Sequence, residues 1–166
     1  MNSRIFRPFI SLALMRILTL SAALFLAAAS ARAESQITKI VLERTPCFGT
    51  CPVYTLTVLS SGQVEFAGED HVKVKGSQTG HISAEDFARL VKKIAEINFF
   101  NLRSRYDGKN PDGSGTTVTD LPTRKISVTR GGETKTVENY FRGPPGLNEL
   151  EDLIDKLTKS AKWIRG

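Results

Sequence analysis

The chain predicts an α+β fold: an antiparallel sheet, a four-stranded meander plus a hairpin, with two helices packed on one face. Three observations predict it. Stretches that alternate apolar and polar residues cluster in the first half of the chain. Two stretches with apolar residues at helical spacing come late. Turn residues separate each stretch from the next, and strands grouped together with helices placed late argue for antiparallel sheet.

The elements begin after a leader. Arg4, Arg7 and Arg16 make residues 1–33 basic, and no acidic residue precedes Glu34. Ile17 to Ala29 is apolar, and Ala31-Arg32-Ala33 has the form of a cleavage site. These are the parts of a secretory signal peptide. The apolar run of 13 residues is shorter than the ~20 that span a bilayer. Cleavage after Ala33 leaves residues 34–166 as one α+β domain, periplasmic or secreted, with no stable membrane span. The full chain carries +6. Four arginines (4, 7, 16 and 32) leave with the leader, so 19 basic residues remain against 17 acidic ones, a charge of +2. That surplus gives no case for a nucleic-acid partner, which needs a concentrated basic surface.

Ile37 to Glu43 is β-branched and reads as the first strand. In Val53 to Leu59, Tyr54, Leu56 and Val58 point one way and Thr55 and Thr57 the other, the period of a half-buried strand. Ser60-Ser61-Gly62 turns the chain into Gln63 to Ala67, where Val64 and Phe66 share a face. Gly68-Glu69-Asp70 turns again, and His71 to Lys75 reads as a fourth strand with Val72 and Val74 inward. Ser83 then caps a helix with Glu85 and Asp86 in its first turn and Phe87, Leu90, Val91, Ile94 and Ile97 on one stripe. Asp107 to Leu121 is a polar, Gly-rich loop, expected to be mobile. Arg124 to Arg130 and Glu133 to Tyr140 form a hairpin around Gly131-Gly132, and the second of these, with Val137 its only aliphatic residue, suits a sheet edge. After Gly143-Pro144-Pro145-Gly146, a final helix aligns Leu147, Leu150, Leu153, Ile154, Leu157 and Ala161, with Trp163 and Ile164 closing it.

Candidate chemistry gathers between the first two strands, where Cys47-Phe48-Gly49-Thr50-Cys51-Pro52-Val53-Tyr54 holds both cysteines. Outside the cytosol two nearby cysteines pair. Gly49 permits the tight backbone that a three-residue gap demands. The expected Cys47–Cys51 disulfide braces a β-turn, and the protein is then a non-enzymatic binding or structural domain of the cell envelope, with an envelope component or a protein as partner and no cofactor. An alternative keeps the thiols at work, in copper binding or in thiol-redox chemistry. Cys47-x-x-x-Cys51-Pro52 resembles the motif of the Sco-type copper chaperones, which implies copper held by two thiolates and a histidine, His71 or His81 here. That family runs from its motif into a helix, whereas Val53 to Leu59 reads as strand.

A longer resemblance covers nearly all of residues 34–166. The first strand, the Cys-x-Gly-x-Cys-Pro-x-Tyr loop, the meander, the helix, Asp120-Leu121-Pro122-Thr123, the hairpin and the Leu-rich last helix are together similar to an uncharacterised family of exported bacterial domains. The resemblance implies a bacterial protein of the periplasm or cell surface and marks Phe48, Gly49, Pro52, Tyr54 and Asp120 as the loop positions of interest. It implies no activity and no catalytic residue.

Overall fold

A computed structural model describes residues 36–110 and 112–165. The leader reading of residues 1–33 lies outside the described residues. Seven strands form one sheet: β1 (Ile37–Arg44), β2 (Val53–Leu59), β3 (Gln63–Asp70), β4 (Gly76–His81), β5 (Arg105–Asp107), β6 (Arg124–Arg130) and β7 (Glu133–Phe141). Their order is β4-β3-β2-β1-β6-β7-β5, antiparallel throughout except for the parallel pair β5–β7. The helices are α1 (Ala84–Glu96), α2 (Pro145–Thr158) and the short α3 (Ala161–Ile164), with a 3-10 turn at Phe99–Asn101. The class is α+β, with one strand and one helix more than the sequence led us to expect.

Strand alternation builds the core. One row of facing residues runs Val64, Val58, Ile40, Val128 across β3, β2, β1 and β6, and the next runs Phe66, Leu56, Leu42, Ile126, Val137. All nine are buried and share one cluster with Phe87, Leu90 and Ile94 of α1 and Leu147, Leu150 and Ile154 of α2. Phe66 stacks on Trp163 and lies tilted against Tyr54, with ring centroids 5.1 and 5.6 Å away. The opposite side of the strands carries Thr55, Thr57, Ser127, Thr129, Thr134 and Thr136, none of them buried.

Ser83 caps α1 as expected, its hydroxyl accepting the Asp86 N–H at 3.0 Å. Pro145 occupies the first turn of α2, where a missing N–H costs nothing.

Four expectations are corrected. His71 to Lys75 is not a strand: β3 runs on to Asp70, and the fourth strand is Gly76–His81. Val72 and Val74 do pack against the core. The backbone there is drawn away from the sheet because Lys73 and Val74 donate to the carbonyls of Ile164 and Trp163 at 3.2 and 3.0 Å. Gly68 makes room for this loop, since a Cβ there would fall 2.1 Å from the Val74 carbonyl oxygen. Next, β7 is not the edge, because the three residues of β5 lie beyond it. Asp107 accordingly belongs to β5 and not to the loop that follows. Finally, the last helix breaks at Lys159, whose φ of +54° is left-handed, so Ala161 leaves the apolar stripe and is exposed.

Candidate functional site

A third row continues the two apolar ones across the same side of the sheet, and its chemistry is different. The register places Tyr54 opposite Arg44, Arg44 opposite Arg124, and Arg124 opposite Asn139. Two like charges facing each other on neighbouring strands repel unless each is neutralised. Helix α2 supplies the counter-charges at helical spacing, since residues three or four apart lie on one helix face. Asn148, Glu151 and Asp155 meet Asn139, Arg124 and Arg44 in turn.

Asp155 is the most connected of these. Its Oδ2 accepts from Arg44 Nη2 at 2.6 Å, and its Oδ1 accepts from the hydroxyls of Tyr54 and Ser160 at 2.8 and 2.7 Å. Three donors on one carboxylate suit an anchor rather than a base, because its lone pairs are already engaged within the fold. Glu151 is fully buried: Oε1 accepts from Asn139 Nδ2 at 2.7 Å. Oε2 lies 2.9 Å from Arg124 Nη1 yet has no well-aligned hydrogen bond, so that contact is an ion pair only. Asn139 spends its amide hydrogens on Glu151 and Asn148, leaving Oδ1 without a partner. Gly143 lets it sit there, because a Cβ would fall 2.3 Å from that oxygen.

Burial sets the protonation states. It pushes the Glu151 carboxyl above its ordinary value, and Asn139, Arg124 and Arg44 pull it back only in part. It pushes the Tyr54 hydroxyl far above its usual range, against the opposing charge of Arg44, so Tyr54 keeps its proton. For Arg44, burial pulls downward, but the neighbouring Asp155 carboxylate outweighs it and the guanidinium stays charged.

The cysteine loop lies at this end of the sheet, directly after Arg44. Cys47 and Cys51 are joined in a disulfide with their Cα atoms 5.7 Å apart. The Gly49 N–H donates to the Cys47 carbonyl at 2.9 Å, closing a three-residue turn with Phe48 at its centre. Gly49 takes a φ of +150°, which favours glycine. The loop is tied to residues 118–123: Thr45 N–H donates to Thr123 O at 3.0 Å, Thr123 N–H to Thr45 Oγ1 at 2.9 Å, and Phe48 N–H to Asp120 O at 3.3 Å. Tyr140 backs that second loop by donating to Val118 O at 3.0 Å. Held in this way, Phe48 is 90% exposed, and Leu121 in the partner loop is 38% exposed. Among the described residues these are the exposed large hydrophobic side chains.

Beside the loop a cleft of ≈ 580 Å³ opens, lined by Arg44, Pro52, Tyr54, Asp152, Asp155, Lys156, Ser160, Ala161, Ile164 and Arg165.

Of the residues the sequence singled out, the structure brings Cys47, Phe48, Gly49, Pro52 and Asp120 together and plants Tyr54 in the network below them. It does not bring the histidines into a ligand set. His71 follows β3 with Nδ1 3.0 Å from Asp70 Oδ2, and His81 ends β4, both exposed. Among the described residues no group of three His, Cys, Asp or Glu is placed to hold a metal. Sequence reasoning missed Arg44, Asn139, Glu151, Asp155 and Ser160, and with them the pairing of Arg124. Three of them carried a signal, since Arg44, Arg124 and Asn139 each extend the inward alternation of their strands by one polar position.

This assembly of strand, cysteine loop, meander, helix and hairpin is shared. Residues 38–158 match the sequence model of a domain of unknown function, DUF6438. The chain belongs to that family. A comparison with curated proteins found no match. The DUF6438 match takes in the disulfide loop, the polar row and α2 to its end, and stops short of α3. No helix among the described residues is long and apolar enough to cross a membrane.

Proposed function

We propose that this DUF6438 domain is an exported, non-enzymatic binding module of the bacterial envelope that meets its partner with the disulfide-braced turn. One observation carries the reading: Phe48, almost wholly exposed, sits at the centre of a turn fixed by a covalent bridge and by hydrogen bonds to a second loop. An aromatic ring held in water costs solvation and gains nothing within the fold, but pre-ordering it lowers the entropy lost on binding. Phe48 offers surface and no acid, base or nucleophile, which favours binding over catalysis. Export is supported by the basic, then apolar, then Ala-x-Ala leader and by a disulfide, which persists in oxidising compartments.

The test is the intact mass of the protein recovered from the periplasm and medium, with and without reductant, alongside metal analysis and cell fractionation. The reading expects cleavage after Ala33, a mass lower by the hydrogens of two thiols before reduction, and no bound metal. It expects Phe48→Ser to be exported and folded but to lose its association with the envelope fraction. Stoichiometric copper abolished by Cys47→Ser, or free thiols in the exported protein, would overturn it.

A further inference from the structure

The cleft beside Pro52 is a second feature, distinct from the Phe48 turn. Its floor is pre-organised. Arg44 uses Nη2 on Asp155, while its Nη1 has no partner among the described residues and is not sealed in the interior. Asp155 is satisfied three times over and its charge is matched by Arg44. The charges left for a ligand are therefore those at the rim. Lys156 and Arg165 are exposed cations with no ion pair among the described residues, and Asp152 is an exposed carboxylate in the same position. The surplus is one positive charge. Pro52, Ala161 and Ile164 add apolar wall, and ≈ 580 Å³ falls within the few hundred to ~1,000 Å³ of small-molecule sites.

We infer that this cleft binds a small monoanion, a carboxylate head on a short apolar body, with the head between Arg44, Lys156 and Arg165 and the body against Pro52 and Ile164. Arginine donors match the planar geometry of a carboxylate, and a surplus of one charge fits a singly charged head better than a doubly charged phosphate. The inference stands apart from the Phe48 reading, since neither needs the other.

The experiment is a nitrogen-15 NMR titration of the purified protein with hexanoate and, in parallel, hexanamide and inorganic phosphate. Hexanoate should shift the amides of Tyr54, Ser160 and Ile164 saturably. Hexanamide and phosphate should bind more weakly. Lys156→Gln and Arg165→Gln, both exposed and so leaving the remaining spectrum in place, should each weaken hexanoate by about two- to fivefold. No saturable shift, an equal response to hexanamide, tighter binding of phosphate, or unchanged hexanoate affinity when Lys156→Gln and Arg165→Gln are combined would each overturn it.

Discussion

The two ends of one sheet face differ in what they ask of the same helices. At one end Ile40, Val58, Val64 and Val128, then Leu42, Leu56, Phe66, Ile126 and Val137, meet leucine and isoleucine, and the gain is the ordinary one of removing apolar surface from water. At the other, Arg44, Arg124 and Asn139 meet Glu151 and Asp155 on α2. Taking charges out of water costs several kcal/mol per ion before attraction returns it, and leucines of similar volume would hold the helix as well or better. The comparison teaches that the apolar end secures the fold. The polar end fixes the positions of Arg44, Tyr54 and Asp155 beneath the cysteine loop and the cleft.

Breaking each end should give different signatures. The largest effect belongs to the apolar end. Phe66→Ala removes a ring held between Tyr54 and Trp163 and should cost about 3–5 kcal/mol in urea unfolding. Arg124→Ala leaves Glu151 buried without its cation and should cost about 2–4 kcal/mol at neutral pH. Adding Glu151→Gln to it should restore part of that loss, a rescue no apolar position would show. Cys47→Ser should cost least, about 2 kcal/mol, because a bridge closing so short a loop removes little entropy from the unfolded chain. A larger loss would mean that the bridge holds the sheet as well as the turn.

Much of this could be seen in the residues before any coordinates. Period-two alternation placed β2 and β6 at their observed bounds because, Val53 apart, each buries one face only. The Ser83 cap and its apolar stripe placed α1 for equally local reasons. The fourth strand was hidden, since Gly76-Ser77-Gln78-Thr79-Gly80-His81 has no apolar pattern to betray it. It is an edge strand held by backbone hydrogen bonds to β3. The valines before it gave a false strand signal because they pack on the core from a loop. At the site, the bridge and the turn were legible in eight consecutive residues. The ionic row was not, because Arg44, Arg124 and Asp155 are distant in sequence and meet only through sheet register and the crossing of α2.

The central claim is that the polar end costs the domain stability, and Glu151 tests it most directly. Its carboxyl titrates above its ordinary value in the folded state because it is buried. Between the ordinary and the raised value the unfolded chain has released this proton and the folded one has kept it, so stability falls as pH rises through that window. Unfolding free energy measured against pH for the wild type and Glu151→Gln should show the wild type losing stability relative to the variant across that range. Parallel curves, or a wild type that gains on the variant as pH rises, would contradict the account.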